Sequence, residues 1–149
     1  MIANRSVPTA SVIPVLAYVD VPEAAEWLCR AFGFRERLRI EHHRAQLVFG
    51  DGAVIVVQLA ATGDEAAGTP VARSGVVTHA VHVRVADARE HHDAAVRARA
   101  RILQPPADHP YGERQYAAED PGGHRWTFSE SIADVDPPDW GGTLVDDFE

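Results

Sequence analysis

The sequence predicts an α+β fold of two tandem βαβββ modules, and three observations carry that expectation. Helix-start signals recur: Asp20 is followed by Glu23, and Asp87 by Glu90, the two Asp residues lying 67 positions apart. Hairpin turns recur with them, Asp51-Gly52 and Asp120-Pro121, 69 positions apart, so one loop absorbs a slip of two. Finally, Tyr111–Phe128 reads as strand, turn and strand around Asp120-Pro121-Gly122-Gly123, where Pro presets φ and Gly accepts positive φ. Self-similarity at a fixed spacing marks a repeated unit. Neither half can bury both faces of a four-stranded sheet with one helix, so the halves should associate.

Taken in order, residues 1–10 read as a flexible arm. Val12–Val19 has the composition of a buried strand. Asp20 caps a helix with Pro22 in its first turn and Glu23 at the capping-box position. Ala24, Trp27, Leu28, Ala31 and Phe32 recur at helical spacing, giving a face that packs on a sheet, and Gly33 ends the helix. Strands are expected at Phe34–Glu41, Ala45–Phe49 and Ala53–Leu59. Module one thus covers residues 12–59 and is followed by a linker at 60–75. Module two, 76–130, restarts with a strand at Val76–Val85 and a helix to Arg99. A strand at Arg101–Gln104, a Pro-rich loop and the closing hairpin complete it. An acidic tail occupies 131–149.

At 149 residues the chain fits one domain with a real core. Its formal charge of −8 speaks against a nucleic-acid or anionic-membrane partner, both of which need a basic face. All 14 basic residues are Arg, the better anion fork. The N-terminus lacks the apolar core of a signal peptide and no apolar run would span a bilayer, so a cytoplasmic protein is expected. The lone Cys29 excludes an intrachain disulfide and reads as a small buried hydrophobe.

The duplication, with Leu16-x-Tyr18-x-Asp20, Ala31-Phe32-Gly33-Phe34, Tyr111-Gly112-x-Arg114 and Asp120-Pro121-x-Gly123-His124-x-Trp126, resembles the vicinal oxygen chelate superfamily. This is the glyoxalase/bleomycin-resistance/dioxygenase group, and the closing run is most similar to its metal-free and phosphonate-metabolism-like branches. The resemblance implies that the modules curl into a curved, open mixed β-barrel with the helices outside and the ligand inside. It also implies, for catalytic members, a divalent metal held by two residues from each module. Counting from the helix caps and hairpin turns puts those positions at Ile13, Gln58, Ala80 and Thr127. Ile and Ala have no donor atoms, Thr is a poor ligand, and Gln58 alone cannot hold a divalent ion, so no metal or other cofactor is expected. His79 and His82 do not rebuild a site, because three residues apart on a strand they point to opposite faces.

Strand parity turns Val81, Val83 and Val85 to the helix, with Ala80, His82 and Arg84 on the other face. Trp126 and Phe128 likewise leave Arg125 and Thr127 facing the cavity. The candidate ligand-binding set is therefore Gln58, His82, Arg84, Arg125 and Thr127 beside Val15 and Ala17, with Tyr111, Arg114 and Tyr116 at the mouth. Apolar walls with a few polar anchors are the usual make-up of a small-molecule site. Arg84 and Arg125 equally fit ion pairs across the sheet, His82 fits a hydrogen-bonded wall, and Arg114 fits a loop anchor. Three functions remain open: a metal-free homodimer binding a small organic molecule such as an antibiotic, a metal-dependent lyase, isomerase or dioxygenase, and a ligand-free structural dimer.

Overall fold

The computed structural model describes residues 1–59 and 77–145. The first half runs β1 (Val15–Tyr18), α1 (Val21–Phe32), β2 (Arg35–Ile40), β3 (Arg44–Phe49) and β4 (Gly52–Gln58). The second repeats it as β5 (Ala80–Arg84), α2 (Ala88–Arg97), β6 (Arg101–His109), β7 (Glu113–Glu119) and β8 (Arg125–Ser131). Each half forms a four-stranded mixed sheet, ordered β1-β4-β3-β2 and β5-β8-β7-β6, in which only the β1–β4 and β5–β8 pairs are parallel. The linker expected at 60–75, and the start of the strand expected from Val76, lie outside the described residues.

Both helices begin as their sequences dictate. Asp20 and Asp87 adopt extended backbone, and each side chain accepts the main-chain N–H of the Glu three positions on, at 3.0 Å. Gly33 closes α1 in the left-handed conformation with φ of 82°. The strand at β6 runs through Pro105-Pro106, where a loop was expected. Proline is tolerated there because β6 is an edge strand, and the register shifts between Gln104 and Ala107.

The expectation of a barrel with helices outside is corrected. The two helices pack on each other, and the helix-bearing faces of both sheets share one core. Phe32 meets Trp126 at 5.4 Å and Phe128 at 4.7 Å between ring centroids, and Phe34 meets Trp126 at 5.6 Å. Burying such side chains is worth about 1.5–3 kcal/mol each, so the largest aromatics draw the halves together through their helix faces. The opposite faces turn away from this core and do not enclose a common interior.

Polar contacts close the seam between the halves. Trp27 Nε1 donates to Ala98 O at 2.8 Å, and His91 Nε2 lies 2.8 Å from Phe32 O. Tyr18 Oη donates to Asp120 Oδ2 at 2.5 Å, and His124 Nε2 lies 2.8 Å from Ala17 O. The same Asp120 accepts Trp126 Nε1–H and the main-chain N–H groups of Gly122 and His124, each at 3.0 Å. Gly122 is required at its position, since a Cβ there would sit 2.6 Å from the Tyr18 ring.

The arm at residues 1–10 is not free. Pro8 is buried, Gln46 Nε2 donates to Ser6 O at 2.9 Å, and Arg37 Nη2 donates to Arg5 O at 2.8 Å. Gln46, itself bonded to Arg37, pairs with Ile55 in register, so the arm lies on the face of the first sheet away from α1. That face carries a second apolar cluster of Ala17, Ile55 and Val57 with Ile13, Val15 and Leu59.

Candidate functional site

The face of the second sheet away from the helices is built in cross-strand rows. His82 stands beside Thr127 and Ala117, Arg84 beside Ser129 and Gln115, and Ala80 beside Arg125 and Glu119. Trp126, Phe128, Tyr116 and Ala118 take the alternate positions and are buried against the helices, which fixes this parity. His82, Arg84 and Arg125 are exposed, and none has a side-chain hydrogen bond or ion pair among the described residues. The neighbouring carboxylate Glu119 pairs with Arg101 at 2.9 Å instead.

A cleft of about 430 Å³ opens between the outer edge of β5 and the β3–β4 turn. Phe34, Phe49, Val81 and Val83 make apolar walls, and His82, Arg84 and Asp51 supply the polar groups. Sequence reasoning missed Phe34, Phe49 and Asp51. Their only signal was an aromatic residue next to Gly33 and another before Gly50, whereas the closeness of turn and strand comes from packing between the halves.

The remaining candidates are placed differently. Gln58 pairs with Tyr18, shares the helix-side face with Val54 and Val56, and donates to Val19 O at 2.8 Å; its assignment to the cavity face is corrected. The register explains the error. Val15 pairs with Ile55 as His82 pairs with Thr127, so the position equivalent to Thr127 is Ile55, and the turn-to-turn count ran three residues too far. Tyr116 is not at a mouth: it is buried, stacks on Phe128, and its hydroxyl lies 2.5 Å from His91 Nδ1. Arg114 forks onto Asp108 at 2.7 and 3.2 Å on the helix side of β7, which holds the Asp108 carboxyl below its usual value. Tyr111 stacks on His109, neighbours Trp140 at 5.4 Å, and donates to Gln115 Oε1 at 3.0 Å. It thus borders the open face from its end.

The corrected set of positions where a metal would be held, Ile13, Ile55, Ala80 and Thr127, offers a single hydroxyl. These residues do not fit a divalent ion. Among the described residues no three His, Cys, Asp or Glu side chains converge elsewhere. Burial pushes the Cys29 thiol up, keeping it protonated and a poor nucleophile. No described helix is long and apolar enough to cross a membrane.

Comparison with known proteins agrees with this architecture. No curated protein sequence matches the chain. Among solved structures, TioX from Micromonospora sp. ML1 is 36% identical over 81% of this chain and 98% of its own, with a TM-score of 0.66. A glyoxalase/bleomycin resistance protein/dioxygenase from Nocardioides is 19% identical over 95% of this chain and 92% of its own, with a TM-score of 0.68. A family enzyme of the same description from Burkholderia phytofirmans PsJN is 15% identical over 80% and 97%, with a TM-score of 0.68. The last two share the fold alone. The sequence pattern of the Glyoxalase/Bleomycin resistance protein/Dioxygenase superfamily spans residues 12–128. The chain belongs to that superfamily.

Proposed function

We propose that the protein binds a small organic molecule without a metal ion, as a cytoplasmic homodimer of the metal-free, phosphonate-metabolism-like kind, and that sequestering an antibiotic or similar compound is its task. The observation that carries this reading is the open face of the second sheet. His82, Arg84, Arg125 and Thr127 present donors there beside an apolar cleft, while the positions that would hold a metal lack ligands. Such a mixture of apolar wall and few polar anchors is the usual make-up of a small-molecule site, the anchors fixing the ligand's orientation.

Thermal shift against a panel of flat aromatic natural products tests the reading. At least one compound should raise Tm progressively with concentration, as any ligand of the folded state must. A panel without a stabilising compound counts against it. Elemental analysis after incubation with Fe, Mn, Ni or Zn should find no stoichiometric metal. Metal retained and then lost on replacing His79 or His82 would move the protein to the metal-dependent lyases, isomerases or dioxygenases. One observation favours a ligand-free structural dimer as second reading: the N-terminal arm already covers part of the first sheet through Ser6 and Pro8. The same panel decides between them.

A further inference from the structure

The duplicated chain holds two copies of one seam, and a side chain of its own fills only one of them. Val15 pairs with Ile55 as His82 pairs with Thr127, which aligns the two halves residue by residue. Ala17 then corresponds to Arg84, Val12 to His79, Gly52 to His124 and Val54 to Trp126. In the filled seam the edge of β1 meets the β7–β8 turn. The His124 ring lies there 4.7 Å from that of Tyr18 and 5.7 Å from that of His79, and its Nε2–H donates to Ala17 O at 2.8 Å. In the open seam the edge of β5 meets the β3–β4 turn. Gly52 brings no ring to it, and Val54 stands where the other half has an indole. The cleft of about 430 Å³, bordered by Val12, Gly52, Val54 and Arg84, is the space those two rings leave.

The main chain at this edge has the same needs in both copies. Val85 N–H donates to Ser129 O at 2.9 Å, and successive residues of a strand alternate, so the N–H and C=O of Arg84 both point away from β8. Ala17 O receives the imidazole, whereas Arg84 O has no hydrogen-bond partner among the described residues. A carbonyl accepts only donors, and the filled copy shows the donor that suits this geometry, the N–H of a flat ring. The Arg84 N–H on the same edge suits a ring nitrogen that accepts, so an azole matches both groups. Phe34 and Phe49, with centroids 5.4 Å apart, give the open copy aromatic walls at the spacing in which a further ring packs well.

We infer that this cleft takes a neutral, flat nitrogen heterocycle, its N–H donating to Arg84 O as His124 donates to Ala17 O and its body against Phe34, Phe49 and Val54. The inference rests on the small-molecule-binding reading and adds the chemical class of the ligand and the atom that receives it.

The full chain at pH 8, where the ring is neutral, is titrated with benzimidazole and with 1-methylbenzimidazole, which lacks the donor, and ¹H–¹⁵N spectra are followed. Benzimidazole should bind about tenfold more tightly, because the methylated ring leaves the carbonyl unpaired. The Gly52 and Val85 amide signals should move, the second because its peptide carries Arg84 O. Gly52→His tests the correspondence directly. Gly52 has ordinary backbone, and an added Cβ meets nothing closer than Phe49 O at 3.4 Å. The new imidazole should close the cleft as His124 closes the other seam, abolishing binding at an undiminished Tm. The comparison of the two probes uses the unaltered chain and decides even if Gly52→His does not fold. Equal binding of the probes, shifts confined to residues away from the cleft, or binding that survives in folded Gly52→His each overturn the inference and leave the small-molecule reading standing. Failure of both probes overturns the inference alone when the natural-product panel yields a stabilising compound, and removes both readings when it does not.

Discussion

Asp120→Ala is expected to lower the unfolding free energy by about 3–5 kcal/mol, the range for breaking a buried hydrogen-bonded network. Asp120 is only 4% exposed and accepts four donors. Alanine would strand the buried Tyr18 hydroxyl and Trp126 indole N–H, together with two half-buried main-chain N–H groups of the turn. Each orphan costs about 1–3 kcal/mol, reduced by whatever relaxation the turn allows. For a chain of this size the loss corresponds to a fall in Tm of roughly 10 °C. Asp120→Asn should cost less. Its oxygen keeps both turn bonds, the Tyr18 hydroxyl can rotate to accept, and only the Trp126 N–H faces another donor. Chemical denaturation of the two variants measures the difference, and a smaller loss for alanine than for asparagine would refute this account.

The second large effect is a dependence on pH. His91 reaches from α2 to Phe32 O and the Tyr116 hydroxyl, with its ring 4.2 Å from that of Phe128. Nε2–H donates to the carbonyl, so Nδ1 accepts from the tyrosine, and the neutral ring satisfies both bonds. Burial pushes its pKa below the ordinary value, against the smaller opposing pull of the Phe32 carbonyl. Burial also holds the Tyr116 hydroxyl protonated far above neutral pH.

The sign follows directly. Below about pH 6.5 the unfolded chain binds a proton that folded His91 refuses. Stability is therefore complete above that pH and declines as pH falls, until His91 protonates in the fold. The slope is at most about 1.4 kcal/mol per pH unit. His91→Gln should be less stable at pH 7.5 and should lose this part of the slope between pH 7 and 5. Urea unfolding at several pH values checks it, and an unchanged slope would refute the role.

The helices were legible because their signals are local: a capping carboxylate, a Glu three residues on, an apolar stripe and, in α1, a terminal glycine. The face of the second sheet was legible for the same reason, since Val81, Val83, Trp126 and Phe128 alternate with His82, Arg84, Arg125 and Thr127 over consecutive residues. Gln58 was misplaced because its side depends on how far the β3–β4 turn reaches, and counting from Asp51 took that turn to match the one at Asp120. Tyr116 and Arg114 were misread for a different reason. An aromatic or cationic residue on a strand has the same local pattern whether it meets His91 or Asp108 from a distant segment or meets a ligand. The cleft was hidden for that reason too, because its walls come from both halves.

The shared core bears on how such a chain arose. If one half were expressed alone, the apolar faces carrying Trp27, Phe32 and Phe34, or Trp126 and Phe128, would lie open to water. A single βαβββ unit of this kind could persist only by pairing with a second copy of itself. Gene duplication and fusion would then have turned an intermolecular contact into an intramolecular one. In the present chain the two faces away from the shared core differ, one holding the buried apolar cluster of Ile55 and Val57, the other the exposed Arg84 and Arg125.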